Sequence, residues 1–309
     1  MVNSNKQPVA KGKPVESNPT KVKIICTMIG FFAAMPKFVG KAFAWLFAHC
    51  AKLFNTRSFN TSMTNLKLCM QDLTDKERKQ MAFKSLKHTG LLFFEAAKIW
   101  KKCKGEQYIE RIYGEDKVKA VLSEGKGVLI TGAHIGNWEV ALHYLGSRYP
   151  FYCMYRPPRQ QEMDDVINHG RCKNNTTMVR GDSRGVMQLI KILKSGEVAA
   201  VLSDQEPGRR AGVFVPFCGK DALTMTLVQK IQQKSDAELF QIAAIKNKSG
   251  RYDVHLEPID IDLSMSEEDY AKKVNQCLES MIRRYPEQYQ WSYKRFKTTE
   301  CGRPNPYCK

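Results

Sequence analysis

The sequence predicts an α/β protein: a mainly parallel or mixed central sheet flanked by helices, with an N-terminal helical membrane anchor. Three observations carry that expectation. From residue 127 onward, short runs rich in Val, Ile, Ala and Phe alternate with amphipathic stretches, the pattern of strands joined by helices. Before them, Thr74-Asp75-Lys76-Glu77 has the form of a capping box and opens a long helix through Leu86, Leu91, Leu92, Phe94 and Trp100. Earlier still, residues 24–54 are strongly apolar and crowded with aromatic side chains.

In chain order, residues 1–21 are rich in Lys, Pro, Asn and Ser and read as a disordered basic tail, too polar to bury a core. Residues 22–56 form the apolar membrane-associating segment. Pro36, Lys37 and Lys41 cut it into pieces shorter than the roughly 20 residues that a spanning helix needs, which favours an interfacial anchor. Phe31, Phe32, Phe38, Phe43, Trp45, Phe47 and Phe54 suit the headgroup boundary, and the lysines suit anionic lipid. Hydropathy leaves one alternative open, a pair of amphipathic helices packed on the domain itself. Residues 57–300 make the α/β domain and 301–309 a C-terminal tail. Strands are expected at 127–133, 151–156, 176–180, 198–203, 213–217, 238–246 and 252–259, with helices at 137–145, 161–169, 184–194, 222–234 and 267–284.

Polar residues punctuate the carboxyl ends of these strands: His134, Arg156, Arg180 and Asp204. Open α/β sheets bind ligands at those ends, so the four can converge on one crevice holding a base, a carboxylate and cations. The run Gly127 to Glu139 adds detail. His134 and Glu139 lie five residues apart and would point roughly 140° away from each other within one helix. They can meet only if His134 sits on the turn before the helix, with Asn137 as its cap. Glu139 then falls in the first helical turn, where the dipole favours a carboxylate able to orient His134 as a general base.

Composition narrows the classes. The 309-residue chain carries 49 basic and 31 acidic residues, a formal charge of +18, and so suits an acidic partner or surface. Ten cysteines without a Cys-x-x-Cys pair read as reduced thiols, and six histidines show no metal-ligand spacing; neither metal nor cofactor is expected. Lys and Arg are spread along the chain with no nucleic-acid-binding motif, and no phosphate-binding loop occurs, so no nucleic acid is expected. One rival chemistry stays open. Gly181-Asp182-Ser183-Arg184-Gly185 matches the nucleophile elbow of serine hydrolases, with Asp204 and His255 following in hydrolase order.

Several motifs occur in an order that resembles the bacterial lipid A late acyltransferases. They are His134-Ile-Gly-Asn-Trp-Glu139, Tyr155-Arg156-Pro157-Pro158, Gly170-Arg171, Arg180, Asp204-Gln205-Glu206-Pro207-Gly208, Gly212-Val-Phe-Val-Pro-Phe-Cys-Gly219 and the segment 286–297. The resemblance covers roughly residues 65 to 298. It implies transfer of a fatty acyl chain from acyl carrier protein to a hydroxyl of a lipid A precursor, on the cytoplasmic face of the inner membrane. It also implies roles: His134 as base, Glu139 as orienting acid, Arg171 for the oxyanion or acceptor phosphate, and Asp204 as supporting carboxylate. Arg156, Arg180 and Asn137 are then expected to bind substrate. The acceptor can be another glycolipid or aminolipid, and the donor a coenzyme A thioester.

Overall fold

The computed structural model describes residues 18–102, 105–158, 160–172, 174–300 and 303–308. Residues 1–17 of the expected tail lie outside these, whereas Pro19, Thr20 and Lys21 already belong to the first helix. Asn18 starts it there by accepting from the Thr20 and Lys21 amides, with Pro19 just inside the helix start. Four helices lead the described chain: α1 (Pro19–Ala34), α2 (Lys37–Leu53), α3 (Arg57–Cys69) and α4 (Asp75–Lys102). Then follow β1 (Ile109–Tyr113), α5 (Glu115–Ser123), β2 (Val128–Thr131), α6 (Trp138–Arg148), β3 (Phe151–Tyr155), α7 (Gln161–Arg171), β4 (Thr176–Arg180) and α8 (Ser183–Lys194). The remainder is β5 (Val198–Ala200), β6 (Gly212–Phe217), β7 (Lys220–Met225), α9 (Leu227–Ser235), β8 (Glu238–Lys246), β9 (Tyr252–Pro258) and α10 (Glu267–Arg284).

Seven strands form one sheet in the order β1-β9-β8-β2-β5-β3-β4, and β6 pairs with β7 in a separate hairpin. Within the sheet only β8 and β9 run antiparallel. Alternation along β2 divides the core between two faces. Leu129 joins Leu239, Leu189 and Leu278 on one, and Val128 and Ile130 join Val140, Tyr144 and Phe240 on the other. All four residues of β2 are buried, which is why the central strand reads as an unbroken apolar run.

The N-terminal helices pack on the domain along one face, as the alternative for this segment allowed, and leave the other face exposed. Gly40, Ala44, Ala48 and Ala51 form the buried face of α2, and a Cβ on Gly40 would lie 2.4 Å from the Phe94 ring of α4. The opposite face leaves Phe38, Phe43, Trp45, Leu46, Phe47, Leu53 and Phe54 at least 40% exposed. Small residues therefore face the protein and aromatic ones face outward. Among the described residues no single helix is long and apolar enough to cross a membrane, and α1 and α2 meet at 110° around Met35 and Pro36. Lys98 donates to the Met35 carbonyl at 2.5 Å, fixing that corner to α4.

The capping box is present: Glu77 N–H donates to Thr74 Oγ1, and Thr74 N–H donates to Glu77 Oε2 at 2.7 Å. The expected helix at 222–234 is corrected, because residues 220–225 are strand and α9 begins at Leu227. Cys218 and Gly219, at φ 51° and 74°, form a two-residue turn of the kind that closes a hairpin, so Phe217 faces Lys220. The tail after residue 300 is tied down as well. Tyr307 Oη donates to Asn65 Oδ1 and accepts from the Phe296 amide at 3.1 Å.

Candidate active site

The chain leaves β2 at Thr131 and reaches α6 at Trp138 through a loop held on all sides. His134 O accepts from Gln290 N–H at 3.0 Å, Gly136 N–H donates to Gln288 O at 3.0 Å, and Asn137 N–H donates to Ala244 O at 2.8 Å. Gly136 is needed here. Its φ is +60°, and a Cβ would lie 1.9 Å from the Ala244 carbonyl oxygen. Asn137 accepts from the Glu139 and Val140 amides at 3.1 and 3.3 Å, the cap expected of it.

His134 meets Asp204. The ring Nδ1 lies 2.7 Å from Asp204 Oδ1, and the His134 backbone N–H donates to Oδ2 at 2.9 Å. A carboxylate only accepts, so Nδ1 carries a proton, and in the neutral ring Nε2 holds the lone pair. Gln205 Nε2 lies 3.3 Å from that Nε2, and the Trp138 ring stands edge-on with its centroid 5.1 Å away. Asp204 is 2% exposed. Burial pushes its carboxyl up, but the His134 ring and the two hydrogen bonds from His134 outweigh it, so Asp204 titrates below the usual carboxylate range.

The expectation that Glu139 orients His134 is therefore corrected. Glu139 is 1% exposed and takes Arg171 instead, with Nε at 3.1 and 3.2 Å from its two oxygens and Nη2 on Oε1. Trp100 Nε1 donates to Oε2 at 2.8 Å. The bare side of Gly170 admits Trp100, since a Cβ there would lie 2.6 Å from the indole. Burial pushes Glu139 up, and Arg171 with Trp100 more than reverses it, leaving an ionised carboxylate below its usual range. A helix-start carboxylate can face either the preceding turn or the neighbouring helix. Here α7 delivers Arg171 from its last turn, and this half-buried cation takes the carboxylate.

The other residues divide. Arg156 and Arg180 are exposed beyond and at the ends of the paired strands β3 and β4, with Arg180 reaching buried Asp164 at 3.4 Å. Asn137 is corrected from substrate binding to structure: it is fully buried, and its amide donates to Glu95 at 3.2 Å and Tyr252 at 3.3 Å. Ser183 follows β4, whereas His255 lies on β9, five strands away or about 24 Å. His255 stacks on Tyr113, and Asp204 is committed to His134, so the hydrolase triad does not assemble. Gln205 is the site residue that sequence reasoning missed; its position directly after Asp204 was the available signal.

Known proteins resemble this chain over most of its length. The family model described as bacterial lipid A biosynthesis acyltransferase matches residues 20–298. The lipid A biosynthesis lauroyltransferase of Escherichia coli K12 is 29% identical over 79% of this chain and 80% of its own length. The palmitoleoyltransferase of the same organism is 27% identical over 83% and 84%, and a lipid A biosynthesis acyltransferase of Haemophilus influenzae is 27% identical over 84% and 83%.

Proposed function

The chain belongs to the bacterial lipid A biosynthesis acyltransferase family and is an acyltransferase; from that premise we propose that it moves a fatty acyl chain from acyl carrier protein to a hydroxyl of a lipid A precursor. The observation that carries the mechanism is the His134–Asp204 pair, which directs Nδ1 to the carboxylate and leaves Nε2 of the neutral ring to act as base. Nε2 takes the proton of the acceptor hydroxyl as that oxygen attacks the thioester carbonyl. Asp204 stabilises the imidazolium that forms, and the proton passes to the departing thiolate as the C–S bond breaks. General-base assistance of this kind contributes about 10²–10⁴-fold. Gln205 holds the Nε2 position until the acceptor hydroxyl replaces it.

Arg171, held by Glu139, is the fixed positive charge for the acceptor phosphate or the developing oxyanion. Exposed Arg156 and Arg180 suit bidentate phosphate contacts at the mouth of the crevice. The aromatic face of α2 is read as the surface that seats the enzyme on the cytoplasmic face of the inner membrane, where an acidic carrier and an anionic acceptor meet a chain of charge +18. The test is direct: full-length protein, acylated carrier protein and detergent-dispersed lipid A precursor are incubated and the lipid is weighed. One added acyl chain, absent with His134→Ala, supports the assignment; an unchanged precursor mass with the native enzyme overturns it.

A further inference from the structure

Behind the catalytic loop lies a cavity of about 660 Å³, the size of a small-molecule site, between α2, α4 and the end of β8. One wall is apolar, made by Ala42 and Trp45 of α2 with Leu91 of α4. Its rim carries Lys41, Lys84 and Lys87, all exposed and, among the described residues, none in an ion pair, against one carboxylate, Glu287. Lys246 also lines it but is neutralised by Glu95.

The floor includes His88, Lys246 and Gln288, which connect to the catalytic loop. His88 Nε2 lies 3.0 Å from Gly136 O; a carbonyl only accepts, so Nε2 donates. Gln288 holds Gly136 N–H through its carbonyl and clasps Lys246 through its side chain, with Oε1 accepting Lys246 N–H at 2.8 Å and Nε2 donating to Lys246 O at 2.9 Å. Glu95 accepts from Lys246 and also from Asn137, the cap of α6. A ligand in this cavity therefore touches residues that fix the loop carrying His134.

A net-positive rim beside an apolar wall selects an anion attached to hydrocarbon. Trp45 belongs both to this wall and to the exposed aromatic face of α2, so the cavity opens where that face ends. We propose that it is a second ligand site, for the phosphate headgroup of an acidic phospholipid that is not a substrate, and that its occupancy braces the catalytic loop. The effect on rate rests on the acyl-transfer reading, whereas binding does not. The second site is read by binding as well as by rate, so failure of either is separable.

The experiment titrates full-length protein in uncharged detergent with dihexanoyl phosphatidic acid by calorimetry, with dihexanoyl phosphatidylcholine and inorganic phosphate in parallel. Binding should be saturable for phosphatidic acid, weaker by at least about tenfold for the other two, and reduced by rising salt. Lys84→Gln with Lys87→Gln should weaken it about tenfold or more, Lys84→Arg with Lys87→Arg should keep it, and Lys76→Gln with Lys79→Gln, elsewhere on α4, should leave it unchanged. Phosphatidic acid should raise kcat in the native enzyme without raising KM for the acceptor. Equal losses in both glutamine pairs, equal affinity for inorganic phosphate, or competition with the acceptor would each overturn the proposal.

Discussion

His134 and Asp204 stand side by side because their strands do. Val128 pairs with Val198 in the β2–β5 register, and each of the two residues lies six positions beyond its member of that pair. Parallel strands advance together, so equal offsets arrive at equal height, and a lateral spacing of about 4.8 Å closes to a hydrogen bond. The buried contact between Thr131 and Ser203 hydroxyls, 2.7 Å, ties the two exits just below. The His134–Asp204 pair is thus a property of strand adjacency.

His134→Ala should lose acyl transfer by about 10²-fold or more while circular dichroism stays native, because a half-buried ring on a loop leaves no core cavity. Ser183→Ala should retain native turnover, since Ser183 is exposed at the start of α8. The reverse ranking of these two variants in a single assay would transfer the chemistry to Ser183.

Asp204→Asn and Glu139→Gln should fail differently. Asp204→Asn should lower kcat by about 10²-fold or more with little change in KM, as loss of the charge that stabilises the imidazolium requires. Glu139→Gln should first cost stability, at most about 3–5 kcal/mol in urea unfolding at pH 7, by leaving the half-buried Arg171 without its partner. The sign with pH follows from the depressed Glu139 pKa. Its contribution is present above the unfolded value of about 4.3 and is lost as pH falls through the lower folded value. The stability gap between native and Glu139→Gln should therefore narrow below about pH 4. A gap that widens in acid, or full stability at pH 7 with a lost rate, would return Glu139 to the orienting role.

Gly136→Ala should prevent stable folding or cost more than about 3 kcal/mol, because the new methyl meets the Ala244 carbonyl and the backbone stays at positive φ. Gly208→Ala, with nothing within 4 Å of the added carbon, should stay within about 0.5 kcal/mol of native. Thermal unfolding of the two side by side measures the difference.

Replacing Phe43, Trp45 and Phe47 together by Ser should release the protein from membranes without changing its unfolding, since all three side chains are at least 40% exposed. The native protein should resist high salt and yield to detergent, because salt screens only the electrostatic share of binding. Native protein found in the soluble fraction at low salt would remove the membrane-docking assignment of α2.

Elements with strong periodic or β-branched signals were legible in the sequence: the strands at 176–180 and 238–246 and the helix at 267–284 match residue for residue. β1 was not. It is an edge strand of Ile-Glu-Arg-Ile-Tyr whose charges keep a sheet edge from pairing further, so it lacks an alternating apolar pattern. At the site, the convergence of His134 and Asp204 could be read from strand ends, but their direct contact depends on β2 and β5 being neighbours, which chain order does not state. Glu139 was misassigned because its partner comes from α7, whose docking on α6 no local spacing reveals.

Asn65 of α3 donates to the carbonyls of Trp291 and Tyr293, the first of them 226 residues later. At about 5–20 residues per second, α3 leaves the ribosome roughly 10–45 s before its partner exists. The segment that supplies it also supplies Gln288 and Gln290, which hold the His134 loop. The aromatic helix α2 is complete long before then, so on the proposed reading translation itself would set membrane attachment ahead of the alignment of His134.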